Sequence, residues 1–313
     1  MIRSPTLPLH QTYRMSKSGI KRVRGRTDEA VRSRAKHLRR SSASEEAHQE
    51  PGNSAAGDRK WRSWSAHEHQ SPFPTFERPT PEECAIAHGI LERMHGDAVR
   101  EEFASEGTAS EYPYVLDALV VAAVSQATSW NNGKRALKSM ATAYGSTFAY
   151  ERIVAGGVDK LEAALCPGGM QTRKSKMVMD ILVDVHRRYG KYDLNHLFDS
   201  SDDDAMKELL SYKGIGPKCA HCVMSMCLNR PNFAVDVHIY RIAGRWGWRP
   251  ETATKEEAQA HLDARIPSEH KLPLHFLLIQ HGRRCKSCKG NTETKSKEKC
   301  EVFEEIWREI GVP

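Results

Sequence analysis

Leu209-Leu210-Ser211-Tyr212-Lys213-Gly214-Ile215-Gly216-Pro217-Lys218-Cys219-Ala220 reads as the end of one helix, a tight turn and the start of another. Gly214 and Gly216 tolerate positive φ and let backbone pass close to a ligand, and Pro217 suits a first helical position. Beyond it Ala220, Val223, Met224, Cys227 and Leu228 form a regular apolar stripe. A Gly-Ile-Gly turn opening into a helix N-terminus aims several amide N–H groups at one point, as a DNA phosphate requires. A plain connection between two helices accounts for the turn equally well.

Lys218 tips the reading toward phosphate and toward chemistry. In the first turn of a helix the positive end of the macrodipole disfavours a further positive charge, which predicts a lowered lysine pKa and a nucleophilic amine. Eighteen residues on, Phe233-Ala234-Val235-Asp236-Val237-His238 sets one carboxylate among apolar residues just ahead of the next helical pattern. Asp236 suits a base or an electrostatic partner for Lys218, and it equally suits an N-cap. The two roles are compatible.

Around this centre the chain reads as helical throughout. The apolar run from Val115 to Val124 repeats with helical period despite Asp117, and further helical patterns cover residues 134–144, 158–165, 174–189, 205–210, 217–228, 238–246, 255–265, 272–281 and 302–310. Thr80-Pro81-Glu82-Glu83 has the form of a capping box and predicts the first ordered helix there. No alternating strand pattern with hairpin signals and no internal repeat is found, so the expected fold is all-α.

The 313 residues carry 47 Lys/Arg and 40 Asp/Glu, a formal charge of +7. The excess is N-terminal: residues 1–76 hold 15 Lys/Arg against 7 Asp/Glu. That segment is rich in Ser, Arg, His and Gly, lacks a lasting apolar period, and is expected to be a disordered basic tail. Its basic clusters, Lys21 to Arg26 and Arg32 to Arg40, suit nuclear import, with a mitochondrial presequence as the second expectation. Trp61 and Trp64 within it receive no assignment. No apolar stretch is long enough to cross a bilayer or to form a signal-peptide core, so neither a membrane partner nor secretion is expected.

Residues 80–290 resemble the helix-hairpin-helix DNA glycosylases of the endonuclease III type. The resemblance rests on Gly214-Ile215-Gly216-Pro217-Lys218 followed by Val235-Asp236-Val237-His238. Ser125-Gln126-Ala127-Thr128 and Gly168-Gly169-Met170-Gln171-Thr172-Arg173-Lys174 add to it. It implies two helical domains around a DNA-binding cleft. One is a six-helix domain over residues 112–233 with its hairpin at 209–228. The other joins residues 79–111 to residues 234–313. By the same resemblance Lys218 and Asp236 are catalytic, and Gly214, Ile215, Gly216 and Lys174 contact DNA. Gln126 fills the gap left by an extruded nucleotide, and Met170 is the wedge. The activity implied is that of a bifunctional glycosylase and abasic-site lyase in base excision repair. It acts as a monomer on double-stranded DNA bearing damaged bases, oxidised pyrimidines first, or abasic sites. The alternative is a non-catalytic binder of damaged or distorted DNA.

Two departures from the family pattern stand out. Tyr212-Lys213 replaces the usual Leu-Pro of the hairpin, and Ser129 stands where many members have Asp. At the C-terminus many members hold a 4Fe-4S cluster on four cysteines spaced C-x6-C-x2-C-x5-C. Here Cys285 and Cys288 form one C-x2-C pair, Cys300 follows after eleven residues, and the first cysteine is missing. The cluster is therefore expected to be absent and no cofactor to be required. The preferred reading is a C-terminal helix packed through Val302, Phe303, Ile306 and Trp307 beside vestigial cysteines. A zinc site of Cys285, Cys288, Cys300 and a histidine such as His281 is the alternative. Cys219, Cys222 and Cys227 are expected to be packing residues of their helix.

Overall fold

The computed structural model describes residues 55–67, 70–104, 112–290 and 299–311. Residues 1–54, which hold both basic clusters, lie outside the described residues, so the expectation of a disordered tail there is not addressed. The described residues form helices α1 (Ala55–Ser65), α2 (Pro81–Ala104), α3 (Val115–Val124), α4 (Trp130–Tyr144), α5 (Tyr150–Leu165), α6 (Gln171–Tyr189), α7 (Asp202–Ser211), α8 (Pro217–Met226), α9 (Val237–Arg245), α10 (Lys255–Arg265), α11 (Ser268–Arg284) and α12 (Glu301–Glu309). They contain no strand, and no helix among them is long and apolar enough to cross a membrane. The all-α expectation holds.

Residues 53–313 make one compact unit. Within it α3 is the apolar axis: every residue from Val115 to Val124 except Ala122 is buried, against α8, α6 and α4. Such a helix must satisfy its one carboxylate internally. Tyr150 does so, its hydroxyl donating to Asp117 Oδ1, while burial still raises the Asp117 pKa. One hydrophobic cluster runs from Val115 to Leu228. On the other side of the molecule α2 lies along α11 and α12, and α11 also packs on α9. The capping box is present as expected, with Thr80 Oγ1 accepting from Glu83 N at 3.1 Å and Glu83 Oε2 from Thr80 N at 2.8 Å.

The hairpin joining α7 to α8 is held from several directions. Gly214 has φ +86, and a Cβ there would lie 2.5 Å from Met177 Sδ, so any side chain here is strained and displaces Met177. Ile215 is fully buried and its N–H closes the turn on Tyr212 O at 3.2 Å. Tyr212, the departure from the usual Leu, is buried with its hydroxyl on Glu208 Oε1 at 2.9 Å and the Arg188 guanidinium 4.9 Å above its ring. The larger side chain is thus accommodated by a polar pair at its tip.

Order begins well before residue 79, which corrects the expectation of a tail running to residue 76. Helix α1 packs on α7 and α10, and Trp61 and Trp64 lie against the main hydrophobic cluster. Residues 71–79 are tied to α10 through Ser71 Oγ to His261 Nδ1 at 2.6 Å and His261 Nε2 to Arg78 O at 2.7 Å. The sequence signal missed was the Trp61/Trp64 pair, an i, i+3 apolar face in an otherwise polar segment.

Lys60 on α1 is the more consequential residue of this segment. Its ammonium donates to Ile215 O at 2.6 Å, with Leu210 O and Tyr212 O at 3.4 and 3.5 Å. Three hairpin carbonyls thus converge on one charge supplied from about 150 residues upstream. Hydrogen bonds to a charged group are worth about 1.5–3 kcal/mol each way of counting. Lys60→Met is expected to destabilise the protein by about that amount, read as a lower denaturation midpoint, whereas Arg59→Met on the exposed side of the same helix should leave the midpoint unchanged.

Candidate functional site

The turn before α8 and the strap before α9 meet at one concave surface. The strap is fixed by α10: Phe233 N donates to Asp263 Oδ1 at 2.6 Å and Val235 N to Gln259 Oε1 at 2.7 Å. Asp236 then caps α9, its Oδ1 accepting from His238 N at 2.8 Å and Ile239 N at 2.9 Å. Both amides fall on Oδ1, and Asp236 itself borders the groove. The close approach of α9 to α11 that sets this height depends on Gly282, where a Cβ would meet His238 Cβ at 2.8 Å.

Two hollows open here. The outer one is a groove of about 900 Å³ whose lining includes Gln126, Gly214, Gly216, Lys218 and Asp236, so five of the residues expected from the sequence come together. The inner one is a cavity of about 130 Å³ walled by apolar groups, among them Ala118, Val121, Trp130, Met226 and Phe276. Ser125, Trp130, Lys218, Cys219, Ile279 and Arg283 border both. Lys218 therefore stands at the neck between them, deep in the concavity yet reached by solvent along the groove.

The electrostatics of Lys218 differ from the expectation of a lowered pKa. Its pKa is raised, first by Cys222 one helical turn away, with burial opposing and Cys219 and Asp236 adding to the rise. The helix-terminus effect is outweighed by these neighbours. Cys222 in turn is lowered, since the Lys218 charge and a hydrogen bond from His275 offset its burial. Burial pushes Cys219 the other way, to about 11. In the free protein Lys218 is thus an ammonium that must lose a proton before it can attack.

Gln126 reaches across the groove floor, its Nε2 donating to Gly214 O at 3.2 Å and lying 3.3 Å from Cys219 Sγ. The loop that carries it holds Ala127 at φ 49, and the Gly168–Met170 loop holds Met170 at φ 54. Non-glycine residues in this region mark backbone held by its surroundings. Met170 is exposed on its loop and does not border the groove as the molecule stands. Ser129, in place of the family's Asp, accepts from Asn132 N at 3.3 Å and caps α4.

Two expected DNA contacts need correction. Lys174 is buried, with its Nζ on Gly168 O at 3.0 Å, and burial lowers its pKa. It holds the Gly168–Met170 loop in place from beneath, and Arg173, which does border the groove, is the basic residue presented there. Ile215 contributes neither side chain nor N–H to the groove, since one is in the core and the other closes the turn. Lys213 is exposed but paired with Asp180 Oδ2 at 2.8 Å.

Sequence reasoning missed the polar wall of the inner cavity. Glu102 at the end of α2 accepts from Gln280 Nε2 and, at 3.0 Å, from Arg283 Nη1, both on α11. His275 is oriented by Nδ1 to Ala234 O at 2.8 Å. No local pattern links residues so far apart, and only Cys222, four residues after Lys218, was within reach of helical periodicity. Cys219 and Cys222 are buried as expected, but they wall the cavity beside the amine and are not packing residues alone. The C-terminal helix packs as expected through Val302 and Ile306, and the cysteines beside it are not scattered. His281, Cys285, Cys288 and Cys300 bring one ligand atom each to within 4.8 Å of one another, a group able to hold a metal ion.

Residues 120–268 match the family described as HhH-GPD superfamily base excision DNA repair protein. A protein of Arabidopsis thaliana named "Putative DNA glycosylase At3g47830" is 30% identical over 243 residues, covering 71% of this chain and 82% of its own. "DNA glycosylase/AP lyase ROS1" of Arabidopsis thaliana is 32% identical over 116 residues, which are 37% of this chain and 8% of that one. The fold is similar to that in a structure of a non-covalent endonuclease III–DNA complex, with a TM-score of 0.51, 18% identity, and coverage of 71% of this chain and 98% of that chain. The chain belongs to the endonuclease III-like HhH-GPD superfamily of base excision DNA repair proteins.

Proposed function

We propose that this DNA glycosylase is bifunctional, excising an oxidised pyrimidine from duplex DNA and cutting the resulting abasic strand, with Lys218 as nucleophile. The observation that carries the reading is the place of Lys218 at the neck between groove and cavity. A nucleotide turned out of the duplex into such a cavity presents C1′ at the neck, where the amine is. The cavity, about 130 Å³, is close to the roughly 150 Å³ known to take a single benzene ring. One six-membered ring fits it better than a purine. Its apolar walls suit the faces of the base, and the Glu102–Gln280–Arg283 group suits its polar edge.

Lys218 first gives up its proton, to Asp236 Oδ2 or to solvent. The neutral amine attacks C1′, and the glycosidic bond breaks with its electron pair leaving on the base, which is protonated. The aminal opens to a Schiff base. Loss of a C2′ proton then expels the 3′ phosphate by β-elimination. Asp236 also stabilises positive charge developing on the sugar. Gln126 and Met170 fill the space the nucleotide leaves, and the first turn of α8 with Gly214 and Gly216 receives a backbone phosphate. The likeness to a relative named a glycosylase and AP lyase supports the lyase step. The protein works as a monomer in this scheme, and the two N-terminal basic clusters direct it to the nucleus, with the mitochondrion as the competing address.

Borohydride reduction on a duplex with one abasic site is expected to give a covalent protein–DNA product that Lys218→Gln abolishes. Asp236→Asn is expected to slow base release by about 10²- to 10⁴-fold, the usual range for a lost acid–base group. No product, with duplex binding and folding intact, would sink the lyase step and leave a monofunctional glycosylase or a non-catalytic binder. The trapping rate should rise with pH as the Lys218 ammonium loses its proton. Cys222→Ala removes the neighbour that raises this pKa most, so the rise should move to lower pH, measured as single-turnover rates from neutral to alkaline buffer. Across a panel of lesions, oxidised pyrimidines should be released faster than 8-oxoguanine, and a purine preferred over every pyrimidine would overturn the substrate reading.

A further inference from the structure

The family's usual C-terminal group is a 4Fe-4S cluster, and the residues present do not fit it. In a cubane each of four thiolates sits on its own iron at a separate corner, so the sulfurs stand well apart. Here there are three sulfurs and an imidazole, and their ligand atoms all lie within 4.8 Å of one another. That is the spacing of donors around one small ion. A tetrahedral zinc with Zn–S of about 2.3 Å sets its sulfurs about 3.8 Å apart.

We propose that His281, Cys285, Cys288 and Cys300 hold a single tetrahedral zinc ion in place of the cluster. Each ligand is placed by a different piece of backbone. His281 lies in the last turn of α11 and is buried, and Cys285 follows as the C-cap with its N–H on His281 O at 2.8 Å. A tight turn brings Cys288 back beside Cys285, with Cys288 N and Lys289 N on Cys285 O at 3.2 and 2.8 Å. Cys300 is the N-cap of α12. His281 Nε2 is already 3.3 Å from Cys300 Sγ, which makes it the nitrogen facing the ion.

The surroundings complete the site. His281 Nδ1 is 3.1 Å from His95 Nε2, the partner a ligating imidazole uses to fix its ring and tautomer. The Arg241 guanidinium holds the turn from outside through Cys288 O at 2.7 Å. Three thiolates and one imidazole are a donor set for zinc, and a closed set of four marks a structural ion. On binding, the three thiols release their protons and the ion ties the end of α11 to the start of α12. That junction is two residues from Arg283, so the ion braces the wall of the groove and cavity without touching the reaction.

The full chain, purified without oxygen so that a cluster would survive, should contain zinc at one ion per chain by elemental analysis, with no acid-labile sulfide. Cys285→Ser, Cys288→Ser and Cys300→Ser should each lose it, while Cys166→Ser, at an exposed cysteine elsewhere, should keep it. If the three variants do not fold, replacing zinc by cobalt(II) in the wild type gives a second reading: intense tetrahedral ligand-field bands with sulfur-to-metal charge transfer are expected. Iron with stoichiometric sulfide, zinc retained in the triple serine variant, or a disulfide between Cys288 and Cys300 in the anaerobic protein would each overturn the proposal.

Discussion

The hairpin between α7 and α8 is under constraint from all sides, and the catalytic geometry depends on it. Gly214 sits in a conformation that side chains avoid, against a methionine that leaves no room for one. Ile215 anchors the turn in the core, Lys60 gathers three of its carbonyls, and Gln126 takes a fourth. A turn held this firmly costs backbone entropy that must be offset elsewhere, and the offset comes from an extra N-terminal helix as well as from the core. What it yields is a fixed direction for α8, and hence a fixed place for the Lys218 amine.

That place couples two environments that a nucleophile needs in turn. On the groove side the amine is held charged, a state that Cys222 favours first and Asp236 adds to. The cavity is walled by apolar groups, so a bound base displaces water from the neck and changes the field around the amine. In the proposed mechanism Asp236 can serve both phases, since its capping bonds fall on one oxygen only. A carboxylate fixed as an N-cap cannot swing away, and this stiffness is what a positioned proton acceptor requires.

The sequence carried the hairpin, the lysine and the aspartate clearly, because each is encoded in a few adjacent residues: a Gly-x-Gly-Pro turn, a helix start, a capping carboxylate. It carried the helical fold for a similar reason, since apolar periodicity survives in every core helix. Lys174 was misjudged because a basic residue beside a DNA-facing loop looks the same whether it points out or is folded under its own backbone; burial decided the matter. The pKa of Lys218 was misjudged because the helix terminus was visible in sequence and the Cys222 neighbour was weighed only as packing. The cavity wall was out of reach, as it arises from residues brought together by α2 and α11, whereas His281 was within reach because it lies four residues before Cys285.

The tie between Glu102 and Arg283 spans 181 residues, and that between His95 and His281 spans 186. Contacts of such long range form late, after the chain closing them has been made and the local helices have settled. A nascent chain released before α11 therefore holds the hairpin and the lysine but no pocket to present a base to it. Under the proposed mechanism, an incomplete product of synthesis lacks the pocket wall and so the means to act on a base.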